Sequence, residues 1–234
     1  MKLENFEGYT YVDGGVCAAR GFVANGLNAG INPDKKKNDM CLVYSQEPCS
    51  AAGVYTQNKV KGAPVIVTRE NLKKSHGIAH AILANSKNAN TCNFDGIEIA
   101  EKACRLAADQ LGIKPEEVII GSTGVIGQRL SIQPFEDYMK PLVEGMTADG
   151  NDRAAYAIMT TDTVMKQVAV EFKIGDAVCR MGGMAKGSGM IHPNMATMLV
   201  FITSDVAITP TLLQKALSTD IKNTFNMISI DGDT

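Results

Sequence analysis

The residues with the clearest chemical potential lie between positions 182 and 197. This segment reads Gly-Gly-Met-Ala-Lys-Gly-Ser-Gly-Met-Ile-His-Pro-Asn-Met-Ala-Thr, so four glycines, a lysine and a serine precede a threonine. A phosphate-binding loop has its lysine directly after the last glycine and before Ser or Thr, whereas Lys186 precedes a Gly-Ser pair. A nucleophile elbow has glycine two residues on either side of its serine, whereas Ser188 has Lys186 and Met190 there. The segment therefore fits neither of these two glycine-rich sites.

Thr197, at the end of this segment, offers a different chemistry. A hydroxyl is a weak nucleophile unless a base removes its proton, and the α-amine of the same residue can be that base. The unperturbed pKa of an α-amine is about 7.7–8.0, which suits general base catalysis. Freeing this amine requires cleavage of the Ala196–Thr197 bond, which the threonine hydroxyl can perform by attacking the preceding carbonyl. On composition alone, the simpler interpretation is that Thr197 is a β-branched residue at the start of a strand.

Two other segments carry hydroxyl groups that could contribute to a site. Thr123 and Gly124 follow a predicted strand, where a hydroxyl and a backbone N–H could point at one position, as an oxyanion hole requires. Tripeptides of the sequence Ser-Thr-Gly, as at 122–124, also occur in ordinary turns. Thr160, Thr161 and Thr163 could bind a substrate, and they are equally suited to ending a helix.

Composition and charge exclude several kinds of partner. The chain has 234 residues and a formal net charge of -2, which gives no electrostatic basis for binding nucleic acid or an acidic membrane. No apolar run approaches the roughly 20 residues of a membrane span, and the N-terminal sequence lacks the apolar stretch of a signal peptide. Six cysteines without a CxxC pair and three scattered histidines predict reduced thiols and no metal site. We therefore expect a cytoplasmic protein that acts on small polar metabolites.

The spacing of apolar and turn residues predicts the elements that must position these side chains. Strands are predicted at 40–44, 52–55, 64–68, 81–83, 117–120, 168–172, 177–181, 198–202 and 228–230. Helices are predicted at 95–111, with Asp95 and Glu98 as a capping box, at 134–144, at 152–159 and from Thr209 onward. The unbroken apolar run 198–202 indicates a fully buried central strand, and the final strand has no partner after it, which suggests a fragment. Hairpin-joined strands with helices grouped between them favour an α+β fold, a layered sandwich of mixed/antiparallel sheets, over a doubly wound sheet.

Together these segments resemble the ornithine acetyltransferase family of arginine biosynthesis. The strongest match is Lys186-Gly-Ser-Gly-Met-Ile-His-Pro-Asn-Met-Ala-Thr-Met-Leu, which is similar to the self-cleavage motif of that family. Supporting matches lie elsewhere in the chain, in the order that the family has them, at 14–22, 85–90, 122–127, 159–163 and 230–234. Lys87 stands where the family more often has glycine. The resemblance spans nearly the whole chain.

The resemblance implies a self-processing, N-terminal-nucleophile-like enzyme. Cleavage would give an α chain of residues 1–196 and a β chain that starts at Thr197, of which 197–234 are present here. Thr197 would attack the acetyl group of N2-acetylornithine, ornithine would leave, and the acetyl group would pass to glutamate. Some members also accept acetyl-CoA as donor, and no motif decides this. The resemblance implies no cofactor, and it suggests a heterotetramer of two α and two β chains.

The resemblance also assigns roles to individual residues. Thr123 and Gly124 would form the oxyanion hole, and Lys186 and Thr160 would hold the substrate, although the threonine of the 160–163 cluster that makes the contact is undecided. A cation suits the α-carboxylate that acetylornithine and glutamate share. His192 is interpreted as structural, because the α-amine already supplies the base.

Alternative hypotheses remain open from the sequence. One is another self-processing N-terminal-nucleophile enzyme, an amidohydrolase or aminopeptidase that transfers its acyl group to water, and the other is a metabolite-binding protein without activity. In the ornithine acetyltransferase hypothesis, further substrate-binding residues expected from the later β chain are absent from this sequence, so the fragment alone is expected to be inactive.

Overall fold

Two four-stranded sheets carry the fold in this computed structural model, which describes residues 7–192 and 197–233. The strands are β1 (Tyr9–Val12), β2 (Phe22–Leu27), β3 (Met40–Ser50), β4 (Ile78–Asn85), β5 (Val118–Ser122), β6 (Lys166–Ile174), β7 (Ala177–Lys186) and β8 (Leu199–Ser204). The helices are α1 (Ala63–Lys74), α2 (Gly96–Leu111), α3 (Gln133–Glu144), α4 (Asn151–Ala157) and α5 (Pro210–Asp220).

The strand order distinguishes the two sheets. The first sheet has the order β1-β6-β7-β8 and is antiparallel throughout. The second has the order β2-β3-β4-β5, in which β4 and β5 are parallel and the other neighbours antiparallel. Because β4 and β5 are parallel, their carboxyl ends lie at the same end of the second sheet. The predicted oxyanion segment begins at this end.

The helices and sheets stack in layers. On one face of the second sheet, Leu42 and Leu83 pack with Ala103 of α2 and with Phe135 and Met139 of α3. Apolar residues recur along α2 at helical spacing, so one stripe of the helix is buried while its other faces reach solvent. On the opposite face of this sheet, a second cluster includes residues of α4 and of the first sheet, among them Met184 and Phe201. The predicted α+β sandwich of mixed/antiparallel sheets is confirmed.

Most predicted elements are confirmed near their expected positions. The predicted strands 40–44, 81–83, 117–120, 168–172 and 177–181 overlap β3, β4, β5, β6 and β7, and the four predicted helices correspond to α2, α3, α4 and α5. The predicted boundary between 196 and 197 lies in the connection from β7 to β8. Ala196 itself lies outside the described residues.

Three predicted strands are wrong. Residues 64–68 lie in α1, because Pro64 occupies the first turn of a helix, where its missing N–H removes no hydrogen bond. Residues 52–55 form no strand, and the N–H of Gly53 donates to the side chain of Gln214 instead of to a neighbouring strand. Residues 228–230 contribute only a single bridge, between Ile230 and Ile191.

The environment of two elements also differs from expectation. The run 198–202 is not a fully buried central strand, since β8 lies at an edge of the described sheet and Ile202 is 46% exposed. Asp95 does precede α2, but its side chain caps no backbone N–H and pairs with Arg129 at 2.6 Å.

Candidate functional site

The segment around Thr123 is fixed by the loop that follows β4. The N–H of Thr123 donates to the carbonyl of Asn85 at 3.0 Å, and the N–H of Val125 donates to the carbonyl of Lys87 at 3.0 Å. The hydroxyl of Ser122 donates to the side-chain oxygen of Asn85 at 2.6 Å. The residues on both sides of Gly124 are therefore tied to one neighbouring loop, which fixes the orientation of the peptide between them.

Gly124 occupies a position that excludes other residue types. Its φ of +130° lies in the region that favours glycine, and a Cβ added there would overlap the carbonyl of Lys87 and the nitrogen of Asn88. Lys87 itself has a φ of +74°. The one departure from the family pattern thus falls at a backbone conformation that glycine would adopt without strain.

Lys186 connects this segment to the first sheet. Its ammonium donates to Oγ1 of Thr123 at 3.2 Å, and the two residues are only 5% and 6% exposed. Burial lowers the pKa of Lys186, an effect that the negative charge of Asp162 partly opposes. Two of the predicted site residues, one at the end of β7 and one directly after β5, are therefore in direct contact.

Asp162 joins the predicted substrate-binding threonines to Lys186. Its side chain is 1% exposed, and Oδ1 accepts hydrogen bonds from the ammonium of Lys166 at 2.6 Å and from the N–H of Gly187 at 3.0 Å. Oδ2 accepts from the N–H of Thr160 at 3.3 Å. Burial alone would raise the pKa of Asp162, but these donors outweigh it and hold the pKa below its usual value. The turn at Thr160 is thereby held beside the residue that follows Lys186.

A second contact joins the same two segments. The hydroxyls of Thr161 and Ser188 lie 2.7 Å apart. Neither Asp162 nor Ser188 was predicted from the sequence to have a role in the site. The available signal was that Asp162 is the single acidic residue among the threonines of 160–163, a site where several hydrogen-bond donors could converge on one carboxylate.

Thr197 lies at the same end of the first sheet as Lys186. It is half-buried and forms a bend two residues before Leu199, which is the register partner of Lys186 in the β7–β8 pair. The Leu199 side chain in turn lies 3.7 Å from the Cβ position of Gly121 near the end of β5. The predicted nucleophile and the predicted oxyanion segment therefore belong to one region of the molecule. His192 is exposed, and the carbonyl side of the predicted cleavage bond, at Ala196, lies outside the described residues.

Within residues 7–192 and 197–233, no three or more His, Cys, Asp or Glu side chains are grouped so that they could hold a metal ion. Among the described helices, none has the length and apolar character required to cross a membrane.

Comparison with known proteins gives the family. The sequence matches the ArgJ family model over residues 23–234. The chain belongs to the ArgJ family. The arginine biosynthesis bifunctional protein ArgJ of Symbiobacterium thermophilum is 47% identical over 226 residues, which cover 96% of this chain and 56% of that protein. The ArgJ protein of Synechocystis is 44% identical over 224 residues, or 95% and 54% of the two chains. This ArgJ chain spans about half the length of the curated relatives that it matches.

Solved structures of ArgJ proteins share the fold. The crystal structure of ArgJ from Bacillus halodurans superposes with a TM-score of 0.75 at 34% identity, over 82% of this chain and 98% of that one. The ornithine acetyltransferase of Mycobacterium tuberculosis, solved in complex with ornithine, gives a TM-score of 0.73 at 37% identity, over 79% and 98%. The family resemblance stated from the motifs is confirmed.

Proposed function

We propose that this ArgJ chain supplies the nucleophile and the oxyanion site of an acetyltransferase that moves the acetyl group of N2-acetylornithine to glutamate in arginine biosynthesis. The observation that carries the proposal is the buried contact between Lys186 and Thr123 at the end of β7, beside the strand that Thr197 precedes. A structural relative that is named an ornithine acetyltransferase and was solved with ornithine supports the choice of substrate.

The proposed reaction begins with cleavage of the Ala196–Thr197 bond. The Thr197 hydroxyl attacks the Ala196 carbonyl, the acyl group moves from nitrogen to oxygen, and water hydrolyses the resulting ester, which leaves a carboxylate on Ala196 and frees the α-amine and hydroxyl of Thr197. In the first half-reaction this amine takes the hydroxyl proton while Oγ1 bonds to the acetyl carbonyl carbon, and the carbonyl electron pair moves to its oxygen. The hydroxyl of Thr123 and the N–H of Gly124 stabilise that oxyanion. When the carbonyl reforms, the amide C–N bond breaks and ornithine leaves with the proton.

The second half-reaction runs in the opposite sense. The amine of glutamate attacks the acetyl group on Thr197, and collapse of the oxyanion releases N-acetylglutamate and regenerates the hydroxyl. Thr160 and Lys186 would contact the α-carboxylate that both substrates carry, since a buried ammonium forms strong charge-assisted hydrogen bonds with carboxylates. Acetyl-CoA is the alternative donor.

The assembly that performs this reaction would contain both products of the cleavage. We propose two α and two β chains in the cytoplasm, with the α chain ending at Ala196 and the β chain beginning at Thr197. Residues beyond 234 of a full-length protein would complete the substrate pocket.

The proposal is tested with full-length protein, glutamate and each acetyl donor in separate assays. We expect two polypeptides by mass spectrometry, an acetyl group on Thr197 after incubation with N2-acetylornithine alone, and N-acetylglutamate once glutamate is added. Thr197→Ala should remain a single polypeptide without turnover. Release of acetate in place of N-acetylglutamate would indicate a hydrolase, and an active enzyme with an intact Ala196–Thr197 bond would refute the mechanism.

A further inference from the structure

The ammonium group of Lys186 donates a hydrogen bond to a hydroxyl group and not to a carboxylate. Within the described residues it forms no ion pair, and Asp162, whose negative charge favours the charged form of Lys186, already accepts from Lys166 at 2.6 Å. The hydrogen bond from Lys186 to Thr123 joins two side chains that are both more than nine-tenths buried. An ammonium group held in this way, away from water, has a role that substrate binding alone does not explain.

The donor and acceptor capacity of the two groups determines the direction of their hydrogen bond. An ammonium group only donates, whereas a hydroxyl has one hydrogen to donate and two lone pairs that accept. Lys186 therefore occupies a lone pair of Thr123, and the hydroxyl hydrogen must point elsewhere. The positive charge of the ammonium beside the accepting oxygen also makes the Thr123 O–H a stronger donor, because charge-assisted hydrogen bonds in a low-dielectric interior polarise the next bond in the chain.

The geometry points to Lys186 as a positioning residue that acts through Thr123: its ammonium fixes and polarises the Thr123 hydroxyl as a donor to the oxyanion. This inference rests on the proposed acetyl transfer and adds a second role to the substrate contact assigned to Lys186. The backbone supports it on both sides. Leu199 is the register partner of Lys186, and the N–H of Gly187 is held by Asp162 at 3.0 Å.

The two roles of Lys186 separate with an acetyl donor that has no carboxylate. With p-nitrophenyl acetate, Thr197 Oγ1 bonds to the acetyl carbon, the α-amine takes the hydroxyl proton, and p-nitrophenolate leaves with the electron pair of the ester C–O bond. This donor needs no carboxylate contact, but its reaction passes through the same oxyanion. If Lys186 only bound substrate carboxylates, its replacement would leave the rate of acetylation by this donor unchanged.

The experiment measures acetylation of Thr197 by p-nitrophenyl acetate in full-length, self-cleaved protein, using mass spectrometry of the β chain. We expect Lys186→Met to lower the saturating rate by about tenfold or more, and Thr123→Ala by about 100–1,000-fold, as for other oxyanion donors. In the Thr123→Ala background, adding Lys186→Met should change the rate less than about twofold, because the group through which it acts is already gone. Lys173→Met, an exposed lysine on the neighbouring strand β6, should react like the wild type.

Two further substitutions of Lys186 separate the effect of the positive charge from a failure to fold. Lys186→Arg retains a cationic donor and should restore part of the rate, and Lys186→Gln, a neutral donor, gives the comparison if Lys186→Met does not fold. With N2-acetylornithine, Lys186→Met should lower kcat as well as raise KM. Equal rates for the wild type and Lys186→Met with p-nitrophenyl acetate, or multiplicative losses in the double variant, would overturn the inference. A wild-type protein whose Thr197 is never acetylated would overturn the proposed function itself.

Discussion

The backbones of Gly124 and Lys87 approach each other closely in the candidate site. Each has a positive φ, of +130° and +74° respectively, but their tolerance of a side chain differs. Lys87 projects its side chain outward and is exposed, whereas a Cβ on Gly124 would overlap the carbonyl of Lys87. The oxyanion segment can therefore lie beside the loop after β4 only because residue 124 has no side chain.

Gly124→Ala should destabilise the protein and displace the oxyanion donor. We expect a loss of about 2–4 kcal/mol, which combines left-handed backbone strain with overpacking, together with a fall in the rate of Thr197 acetylation. Gly175→Ala is the matched control, because Gly175 has a φ of +58° but open space around its Cβ position. It should lose only about 1–2 kcal/mol, the strain contribution. Urea denaturation of both full-length variants tests this, and equal losses would show that the contact with Lys87 is unimportant.

Lys87→Gly should have the opposite effect on stability. Removing the side chain relieves a left-handed strain of about 1–2 kcal/mol, and the greater freedom of glycine in the unfolded chain offsets about 0.5–1 kcal/mol of that gain. We expect a net stabilisation of up to about 1.5 kcal/mol by the same denaturation measurement. Destabilisation would mean that the lysine side chain itself contributes to the fold.

At the scale of elements, helix α1 closes the free edge of β5. The hydroxyl of Thr68 donates to the carbonyl of Ile120 and accepts from the N–H of Ile120, both at 2.8 Å. One helical turn further, the side-chain amide of Asn71 donates to the carbonyl of Val118 at 2.9 Å. An edge strand exposes backbone groups that need partners, and two polar side chains of a helix supply them here. The strand that leads into the oxyanion segment is thus held on both sides.

Thr68→Val should remove this support while preserving side-chain shape. The substitution leaves the N–H and the carbonyl of Ile120 buried without a partner, at a cost of about 1–3 kcal/mol each. Thr68→Ser keeps both hydrogen bonds and loses one methyl group, so its cost should stay near about 1 kcal/mol. Comparing the free energies of unfolding of the two variants tests the interpretation, and a valine variant no less stable than the serine variant would contradict it.

The same helix shows where prediction from the sequence stops. Its β-branched residues have the local pattern of a strand, whereas Pro64 in the first turn and the packing of α1 against β5 favour a helix. The run 198–202 is apolar on both faces, which is typical of a central strand, so its position at an edge of the described sheet was not predictable from the local pattern. Helix α2 was predictable because its amphipathic period and Gly112 are local signals.

Among site residues, Lys186 and Thr123 were proposed from motif resemblance, whereas the role of Asp162 depends on three segments that meet only in the folded chain.

At the scale of the whole molecule, two buried thiols lie in different layers. Cys41 belongs to the cluster between the two sheets, and Cys104 belongs to the cluster between the helices and the second sheet. Burial raises the pKa of each thiol to about 12. The second sheet separates the two clusters but contributes strands to both. We therefore expect the layers to open together, since loss of the sheet would expose both thiols.

Alkylation with iodoacetamide at pH 8 tests this cooperativity. The thiolate is the reactive form, and with a pKa of about 12 only about one buried thiol in 10,000 is ionised at this pH, even before access is considered. Cys92 is exposed and should react first. Cys41 and Cys104 should then react at one shared, slow rate that rises with urea in parallel with global unfolding, as followed by mass spectrometry of their peptides. If Cys104 reacted in native buffer while Cys41 stayed protected, the helical layer would open by itself, and the sheet could not be the element that makes the two clusters unfold as one.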